Sequence, residues 1–416
     1  MFLGIVIGLL LSLAQAITTG TTLANVPLSL PLQWDSTSLP TSVVIDANWR
    51  WLNGDKLEGQ GDAQGMESAY GVKSDGRSLT LRYSTTNQYG TNIGSRLYLL
   101  DAAKTKYFGF NLLDREFSFD LEFDLVCGLN FALYFSEMPL DGGLDAAYGT
   151  GYYDAQCASD IKYVGSQLNS QNWGMCGVEM DIFEGNRYAS AMTPHNCKTS
   201  PLVCKDPLTC GSGSNRYKGT CDKDGADFNP YRAGNLELYG PGKQVDTTKK
   251  FTVHTRFHAP NGVLERIERL YTQNGKTLSV HNMTDASIAA QKTKFGEKNH
   301  HQELGGLKAM GEAFKRGSMV LVISLWDDTT AQMAWLDGVY PPGSSSPGAK
   351  RGPCPITDAM TLRKTVPNSS ATVSNLNVKA LTKSSPSPSP APAPSPAPKP
   401  VLPVEQHCRS WRCQCE

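Results

Sequence analysis

Short runs in which apolar and polar residues alternate recur along most of this chain. In EFSFDLEFDL (116–125), every second residue from Phe117 to Leu125 is apolar, and acidic or small polar residues lie between them. CGLNFALYF (127–135) repeats the pattern from Leu129 to Phe135. A period of two is typical of half-buried strands. Further runs predict strands in the same way: VVIDANWRWLN, RSLTLRYST, GSRLYLLD, KKFTVHTRFH, SMVLVISLW and ATVSNLNVKAL.

Amphipathic helical patterns are scarce by comparison. The best one is the short segment GGLKAMGEAFKRG (305–317), which predicts a single helix. Gly, Pro and Asn separate the strand patterns and indicate turns and long loops. The expected fold is therefore all-β, with a large sandwich of antiparallel sheets as the natural architecture.

Composition changes at the two ends of the chain and divides it into four parts. Residues 1–16 form a short apolar run that ends in Ala-Gln-Ala, which predicts a signal peptide and a secreted, extracellular protein. Residues 17–383 show no internal boundary and form one expected domain. Residues 384–403 alternate Pro with Ser or Ala and predict a stiff linker. Residues 404–416 form a short cysteine-containing tail, which we interpret as a possible truncated module.

Charge and cysteine content narrow the classes of partner. The chain has 39 basic and 39 acidic residues, a balance that gives no reason to expect nucleic acid or a membrane surface as partner. Eleven cysteines suit an oxidising compartment, where Asn282 and Asn368 would be acceptors for glycosylation. The pair His300-His301 falls in a polar stretch and predicts a solvated loop. We expect no metal and no cofactor, and a monomeric protein.

The segment EMDIFE (179–184) places three carboxylates among buried-looking apolar residues. On a strand, Glu179 and Asp181 share a face because they are two residues apart. Glu184 would fall on the opposite face of a regular strand. A β-bulge near Ile182-Phe183 would absorb one residue and return Glu184 to the same side as Glu179. The sequence therefore predicts a bulge in this strand, if the three acids act together.

Two carboxylates about 5 Å apart suit retaining glycoside hydrolysis, in which one is the nucleophile and the other the acid/base. The alternative is a solvent-facing acidic edge without catalytic function. Aromatic side chains favour the first interpretation, because sugar rings stack on indole. Trp49 and Trp51, two residues apart and so expected on one face, are candidate platforms, as are Trp326 and Trp335.

Long segments of the chain resemble glycoside hydrolase family 7. They are GVEMDIFEGNRYASAMTPHNC, CDKDGADFNPYRAGNLELYGPGKQVDTTKKFTV, SVVIDANWRW and MVLVISLWDD, and the resemblance spans roughly residues 30–380. The family consists of secreted cellulases, both cellobiohydrolases and endoglucanases. The resemblance implies a concanavalin-like jelly-roll sandwich of two curved antiparallel sheets, with long loops over a groove that binds the partner, cellulose or a related β-1,4-glucan.

The resemblance also implies roles for individual residues. Glu179 would be the nucleophile, Glu184 the acid/base, Asp181 the acid that assists Glu179, and His195 a neighbour of the leaving group. The four tryptophans above would be stacking platforms. The remaining substrate-binding residues are expected on the groove floor (Asn130, Tyr134, Tyr152, Asp154, Gln156) or on the product side (Arg216, Asp224, Asp227, Arg232, Tyr340, Arg351).

The family's cysteine pattern implies four disulfides in this chain: Cys127–Cys354, Cys157–Cys176, Cys197–Cys221 and Cys204–Cys210. Positions where the family has further paired cysteines carry Tyr153, Gly177 and Ala226 here. Because both partners of each such pair are absent, no cysteine of the central domain is left unpaired.

Exo and endo action both remain open on the sequence. The stretch KYVGSQLNSQNWGMC (162–176) is shorter than the matching cellobiohydrolase loop, and Gly185 resembles endoglucanases. The segments CKDPLTCGSGSNRYKGTC and YPPGSSSPGAKRGPC keep cellobiohydrolase length and basic residues. We therefore favour a cellobiohydrolase-like cellulase with a partly opened tunnel. The alternatives are an endo-β-1,4-glucanase with an open cleft and, more remotely, a glucan-binding lectin without activity.

Overall fold

In the computed structural model of the chain, the structure describes residues 16–20 and 22–381. The segments predicted as signal peptide (apart from Ala16), linker and tail lie outside the described residues, so these assignments and their boundaries stay predictions. None of the helices in the described part is both long and apolar enough to cross a membrane.

Strands dominate the described residues, as the alternating patterns predict. In chain order they are β1 (Thr18–Thr19), β2 (Leu28–Ser29), β3 (Leu32–Trp34), β4 (Thr37–Leu39), β5 (Ser42–Ile45), β6 (Leu52–Asn53), β7 (Lys56–Leu57), β8 (Val72–Ser74), β9 (Ser78–Arg82), β10 (Ser84–Asn87), β11 (Gly90–Ile93), β12 (Ser95–Leu100), β13 (Gly109–Phe110), β14 (Arg115–Phe123), β15 (Leu129–Glu137), β16 (Tyr163–Val164), β17 (Gln167–Leu168), β18 (Gly174–Cys176), β19 (Glu179–Gly185), β20 (Ser190–His195), β21 (Leu202–Cys204), β22 (Tyr239–Gly240), β23 (Val245–Asp246), β24 (Phe251–His258), β25 (Arg266–Gln273), β26 (Lys276–Met283), β27 (Met319–Asp327) and β28 (Ser370–Ala380).

Two large sheets carry the fold. Sheet A has the order β2-β5-β12-β27-β15-β19-β20, with β13 beside β27. Sheet B has the order β26-β25-β24-β14-β28-β3-β4, with β9 beside β28 and β8 beside β9. Neighbouring strands in both sheets are antiparallel except β28 and β3, which are parallel. The expected all-β sandwich is confirmed.

The main apolar core lies between the two sheets. Sheet A contributes the alternate residues of β15, such as Phe131 and Phe135, and sheet B contributes those of β14, such as Phe117 and Phe119. The opposite face of sheet A is also buried, by a second cluster that includes Tyr98, Tyr134 and Tyr152. Both faces of β15 and β19 are therefore removed from water, which leaves their polar side chains in a largely dry environment.

Helices occupy the connections: α1 (Ala63–Tyr70), α2 (Asp285–Phe295), α3 (His300–Glu303), α4 (Gly306–Lys315), α5 (Ala334–Asp337) and α6 (Ala359–Thr365). The helix predicted at 305–317 corresponds to α4. Helix α2 has no clear apolar stripe in its sequence, but its first turn is capped, because the Thr284 side chain accepts a hydrogen bond from Ser287 N–H and the Ser287 hydroxyl accepts one from Thr284 N–H.

Two local predictions are wrong. His300 and His301 do not lie in a solvated loop: they begin α3 and are 4% and 0% exposed. The Asn196 side chain donates hydrogen bonds to the carbonyls of His301 and Gly306, so a distant contact buries this polar segment. The strand predicted through VVIDANWRWLN ends at Ile45, and Trp49 closes a short 3-10 turn, so alternation does not place Trp49 and Trp51 on one face.

Disulfides tie the loops around the sheets. The structure joins Cys127–Cys354, Cys157–Cys176, Cys197–Cys221 and Cys204–Cys210, the same pairs that the family resemblance implies. Cys127–Cys354 closes the longest loop, with a sequence separation of 227 residues. It anchors the segment after α5 to the start of β15, close to the carboxylates described next.

Candidate active site

The predicted bulge is present in β19. Along β15, Leu133 pairs with Phe183 and the next residue, Tyr134, pairs with Asp181, so Ile182 is the extra residue. On the other side, three steps from Asp181 to Glu184 match only two steps along β20. Ile182 and Phe183 both enter the core. Glu179, Asp181 and Glu184 are thereby free to share the opposite face of the sheet.

Glu179, Asp181 and His195 form one end of this face. The carboxylate of Glu179 accepts a hydrogen bond from Ala155 N–H at 2.9 Å, and Glu179 lies opposite His195 in the register of β20. His195 Nε2 lies 3.1 Å from Asp181 Oδ2. His195 Nδ1 lies 2.7 Å from the carbonyl of Asp222 and must donate to it, because a carbonyl oxygen only accepts, and this contact turns Nε2 toward Asp181.

A glycine permits the close approach to His195. Gly225 has φ +66°, and a Cβ there would lie 2.6 Å from His195 Cε1 and 2.3 Å from Thr193 Cγ2. Any side chain at this position would push the loop away from the ring. Gly225 therefore sets how tightly the loop that carries Asp222 packs behind His195.

Glu184 is held at the other end by Asn130 on β15. Asn130 Nδ2 donates to Glu184 Oε1 at 2.8 Å, and Asn130 Oδ1 accepts from Gly185 N–H at 2.8 Å. The sequence places Asn130 among the groove-floor residues, whereas the structure engages both ends of its amide with β19. Asn130 thus orients the carboxyl of Glu184 and braces the end of the bulge.

The carboxyls on this face have raised pKa values because they are buried together. Burial, reinforced by the charge of Asp181, raises the pKa of Glu184 to about 8. Burial and the charges of Asp181 and Asp154 hold the pKa of Glu179 well above its ordinary range. The pKa of Asp181 is likewise raised, by burial and by Asp154. Several acids in so small a dry volume cannot all be ionised, so they share protons.

The predicted floor residues continue this cluster. The hydroxyl groups of Tyr134 and Tyr152 form a hydrogen bond with each other at 2.8 Å. Asp154, whose pKa is raised by burial, accepts a hydrogen bond from Ala158 N–H. Gln156 is exposed and donates to the carbonyl of Lys223 at 2.8 Å. The Arg96 guanidinium lies 3.4 Å from the centre of the Tyr152 ring, which puts one cation beneath the acidic floor.

Sequence reasoning missed Arg96 and its partner Asp46. Arg96 ion-pairs with Asp46, and the hydroxyl of Tyr98 donates to the same carboxylate. Asp46 lies in SVVIDANWRW and Arg96 in the predicted strand GSRLYLLD, but only tertiary contacts reveal that they meet under Tyr152. The signal available in the sequence was weak: a single arginine in an otherwise apolar strand, SRLYLL.

The four tryptophans fall into two groups. Trp326 and Trp335 stack on each other, with ring centres 6.2 Å apart, and Trp335 Nε1 donates to Asp328. Trp49 is half-buried and donates to the carbonyl of Gly94. Trp51 is 57% exposed and borders a surface cavity of about 460 Å³, whose lining also includes Lys162 and Leu168.

The predicted product-side residues form two ionic clusters. Arg216 Nε lies 2.5 Å from Asp224, which also accepts from the Tyr217 hydroxyl. Arg232 and Arg351 both contact Asp227, and the pair of arginines lowers the pKa of Asp227 against the effect of its burial. Tyr340 lies apart on a loop, where its N–H donates to the carbonyl of Ala349 and its side chain is 39% exposed.

Lys292 on α2 and Glu297, just beyond the end of this helix, join the second cluster, and sequence reasoning missed both. Glu297 contacts Arg232 and lies 3.6 Å from Arg351, and Lys292 Nζ lies 3.3 Å from Glu297. Gln291 donates to the carbonyl of Asp227. These contacts fasten α2 to the loop around Ala226, where the family resemblance implies a cysteine that this chain lacks.

Gly185 has a local packing reason. A Cβ at this position would lie 2.8 Å from the carbonyl of Ala189 and 2.9 Å from Phe183 Cζ. Alanine there would require the β19–β20 turn to shift. Gly185 therefore allows the close packing of this turn against Phe183 and Ala189.

Two groups of possible metal-ligand atoms occur among the described residues. One consists of sulfurs of Cys157, Cys176 and Cys221, and the other combines Asp337 with Cys127 and Cys354. In both groups the cysteines are joined in disulfides, which removes the thiolate that a metal would bind. The acid cluster on β19 is the group with the arrangement of a reaction centre.

Comparisons with known proteins identify the family of this chain. The model of glycosyl hydrolase family 7 matches residues 57–384. Exoglucanase GH7B of Limnoria quadripunctata is 38% identical over 415 residues, covering 84% of this chain and 92% of the relative. The crystal structure of a family 7 cellobiohydrolase from Daphnia pulex superposes with a TM-score of 0.83 at 34% identity, covering 88% of this chain and 99% of that chain. Endoglucanase I complexed with cellobiose superposes with a TM-score of 0.75 at 31% identity, covering 87% and 98%.

Proposed function

The chain belongs to glycosyl hydrolase family 7 and is a cellulase, and on that premise we propose that it is a secreted enzyme that hydrolyses β-1,4-glucosidic bonds with retention of configuration. Its substrate is cellulose or a related β-1,4-glucan, and it acts as a monomer. The observation that carries the mechanism is the bulge at Ile182, which allows Glu179 and Glu184 to face one substrate bond.

In the first step Glu179 attacks the anomeric carbon while the bond to the leaving oxygen breaks. Glu184 gives its proton to that oxygen, so the departing glucan leaves as a neutral alcohol. The raised pKa of Glu184, about 8, keeps this proton on the carboxyl at neutral pH. The hydrogen bond from Asn130 aims the carboxyl.

In the second step a water molecule gives a proton to the now ionised Glu184 and attacks the same carbon, which frees Glu179. Glu179 must be ionised for the attack although its surroundings raise its pKa. Ala155 N–H and the nearby His195 oppose that effect. Asp181, whose pKa is also raised by burial, holds a proton beside Glu179, so Glu179 is the ionised member of these three carboxyls when the attack begins.

Substrate sites extend along the same face. Trp49, Trp51, Trp326 and Trp335 offer apolar ring faces on which glucose units stack. The ionic clusters around Asp224 and Asp227 hold hydroxyl-rich product through their guanidinium groups. A cellobiohydrolase from Melanocarpus albomyces complexed with cellotetraose and endoglucanase I complexed with cellobiose are among the structures that this chain resembles, which supports a cello-oligosaccharide as ligand.

We favour cellobiohydrolase-like action with a partly opened tunnel. The relative with 38% identity is an exoglucanase, and the TM-score is higher against the Daphnia cellobiohydrolase (0.83) than against endoglucanase I (0.75). The short hairpin of β16 and β17 favours the endo alternative, because it offers little chain to roof a groove.

Reducing-sugar release from cellulose by wild type and by Glu179→Gln tests the enzyme itself. We expect release from wild type and from the control Glu122→Gln, an exposed acid on β14, and background from Glu179→Gln. Equal background from all three would contradict the proposal. For exo action, the same reactions should yield mostly cellobiose with a slow fall in the viscosity of soluble cellulose, whereas a rapid fall would indicate an endoglucanase.

A further inference from the structure

Arg269 is a buried arginine whose partner is a backbone carbonyl. It lies on β25 of sheet B between the core residues Ile267 and Tyr271, and it is 1% exposed. Its guanidinium crosses to sheet A, where Nη2 donates to the carbonyl of Ile182. In the described part of the chain no carboxylate lies within ion-pair distance of Arg269, whereas Arg266 on the same strand contacts Glu268.

Ile182 is the residue that the bulge leaves without a partner. It pairs with neither β15 nor β20, and it is fully buried. A buried carbonyl without a hydrogen bond destabilises the conformation that creates it. A buried guanidinium without a partner is likewise unfavourable. The contact therefore gives both groups a hydrogen-bond partner, although Arg269 Nε in the same guanidinium has none among the described residues. We expect the contact to be lost when the strand is regular.

The bulge decides which face Glu184 occupies. A strand that returned to regular pairing would turn Glu184 away from Glu179, since neighbouring residues of a strand point to opposite faces. Asn130 holds the carboxyl of Glu184 from the substrate side, and Arg269 holds the backbone of the same turn from the core side.

We infer that Arg269 is a positioning residue for the acid/base step: through the carbonyl of Ile182 it maintains the bulge that keeps Glu184 on the same face as Glu179. The inference rests on the proposed function. Arg269 touches no substrate. Its replacement should therefore slow the reaction steps that need Glu184 and leave the steps that do not need Glu184 unchanged.

Leaving-group chemistry separates those steps. With 2,4-dinitrophenyl β-cellobioside the leaving phenolate needs no proton, so kcat/KM does not depend on Glu184. With cellotetraose the leaving sugar needs the proton. For Arg269→Met we expect kcat/KM to fall about 30- to 100-fold on cellotetraose and to change less than about threefold on the dinitrophenyl substrate. Added azide should then raise kcat on the dinitrophenyl substrate and yield β-cellobiosyl azide, because azide needs no base in the second step.

Three variants make the result interpretable. Glu184→Gln should show the same leaving-group dependence as Arg269→Met, with a larger loss on cellotetraose, and should form more β-cellobiosyl azide. Arg269→Lys keeps a buried N–H donor and should recover part of the activity on cellotetraose. If Arg269→Met does not fold, Arg269→Lys is the variant in which the leaving-group dependence is measured. Arg266→Met changes a half-exposed arginine of the same strand and should leave both substrates unaffected. Labelling of Glu179 by a 2-fluoro cellobioside inactivator counts the folded active sites of each variant.

Equal losses on the two substrates per labelled site, or no azide product from either Arg269 variant, would overturn the role of Arg269 while leaving the proposed function intact. If Glu184→Gln itself lacks the leaving-group dependence, the acid/base assignment fails and the inference fails with it. If wild type is inactive on both substrates, the proposed function fails.

Discussion

Strands β14 and β19 contain similar mixtures of acids and apolar residues, yet their acids meet opposite environments. In β14, Glu116 is 1% exposed and contacts His254, Arg256 and Lys379. Burial alone would raise its pKa, but hydrogen bonds from these three residues outweigh it and lower the pKa to about 2. In β19, burial raises the pKa of Glu184 to about 8, and its side-chain donor is the neutral amide of Asn130.

The difference shows what distinguishes a structural carboxylate from a reactive one. Sheet B neutralises its buried acid with fixed cations, which makes the carboxylate a permanent ion-pair partner. Sheet A surrounds its acids with other acids and neutral donors, so protons must be shared and can be transferred. The two strands also differ in register: β14 pairs regularly along β24 and has a register shift along β28, whereas β19 is bulged on both sides.

The largest difference is expected when one buried glutamate in each strand is replaced by glutamine. Glu179→Gln should reduce kcat on cellulose by at least about 10³-fold, because the nucleophile is lost. Glu116→Gln should leave kcat within about twofold, since Glu116 lies on sheet B. Initial rates per folded protein check this pair. A comparable loss in both variants would erase the distinction between the strands.

The next effect concerns pH. Glu184 must be protonated to donate, and its pKa is about 8, so kcat/KM on an oligosaccharide should fall as the pH rises through about 8. Glu184→Gln should lower kcat/KM about 10²-fold near neutral pH and remove this alkaline limb. A pH–rate profile from 4 to 10 measures both. An alkaline limb that persists in the variant would assign it to another group.

A smaller effect is expected at Asn130. Its hydrogen bond lowers the pKa of Glu184 against the effect of burial. Asn130→Ala should therefore move the alkaline limb to higher pH and reduce kcat about tenfold through misalignment of the carboxyl. The position of the limb separates this role from direct substrate binding, which would change KM and leave the limb where it is.

The smallest effects are on stability, and the two strands should give opposite signs. The folded pKa of Glu116, about 2, lies below its ordinary value of 4.5, so Glu116 stabilises the fold above pH 4.5, and this contribution is lost as the pH falls through about 2. Glu116→Gln should lower the free energy of unfolding by about 2 kcal/mol at pH 7.

The pKa of Glu184 is raised from 4.5 to about 8, so the folded state holds the proton more strongly and the free energy of unfolding declines as the pH rises through this window. Glu184→Gln should flatten that decline. Denaturant unfolding at pH 3, 7 and 9 checks both signs, and matching slopes in the two variants would contradict the comparison.

The bulge in β19 could be predicted from the sequence. Glu184 lies five residues after Glu179, so it reaches the same face only if the strand between them contains one extra residue. Alternation located β14, β15, β24 and β27, whose side chains follow the pleat.

What could not be predicted depends on contacts between distant segments. Arg269 reaches Ile182 across 87 residues of chain, and Asn130 reaches Glu184 across 54. His300 and His301 have the composition of a loop, but contacts with distant residues bury them, including a hydrogen bond from Asn196 to the carbonyl of His301 and a ring contact of His300 with Tyr217. The local pattern of apolar and polar residues determines which face of the sheet a side chain occupies, but it does not determine which distant residue the side chain contacts there.

The most direct test of the central claim is the configuration of the product at the moment of release. If Glu179 and Glu184 carry out a double displacement from one face, ¹H NMR of cellotetraose hydrolysis should show the β-anomer of the newly formed reducing end first, with the α-anomer appearing later by mutarotation. Initial appearance of the α-anomer would mean a single displacement by water, and would contradict the nucleophilic role of Glu179.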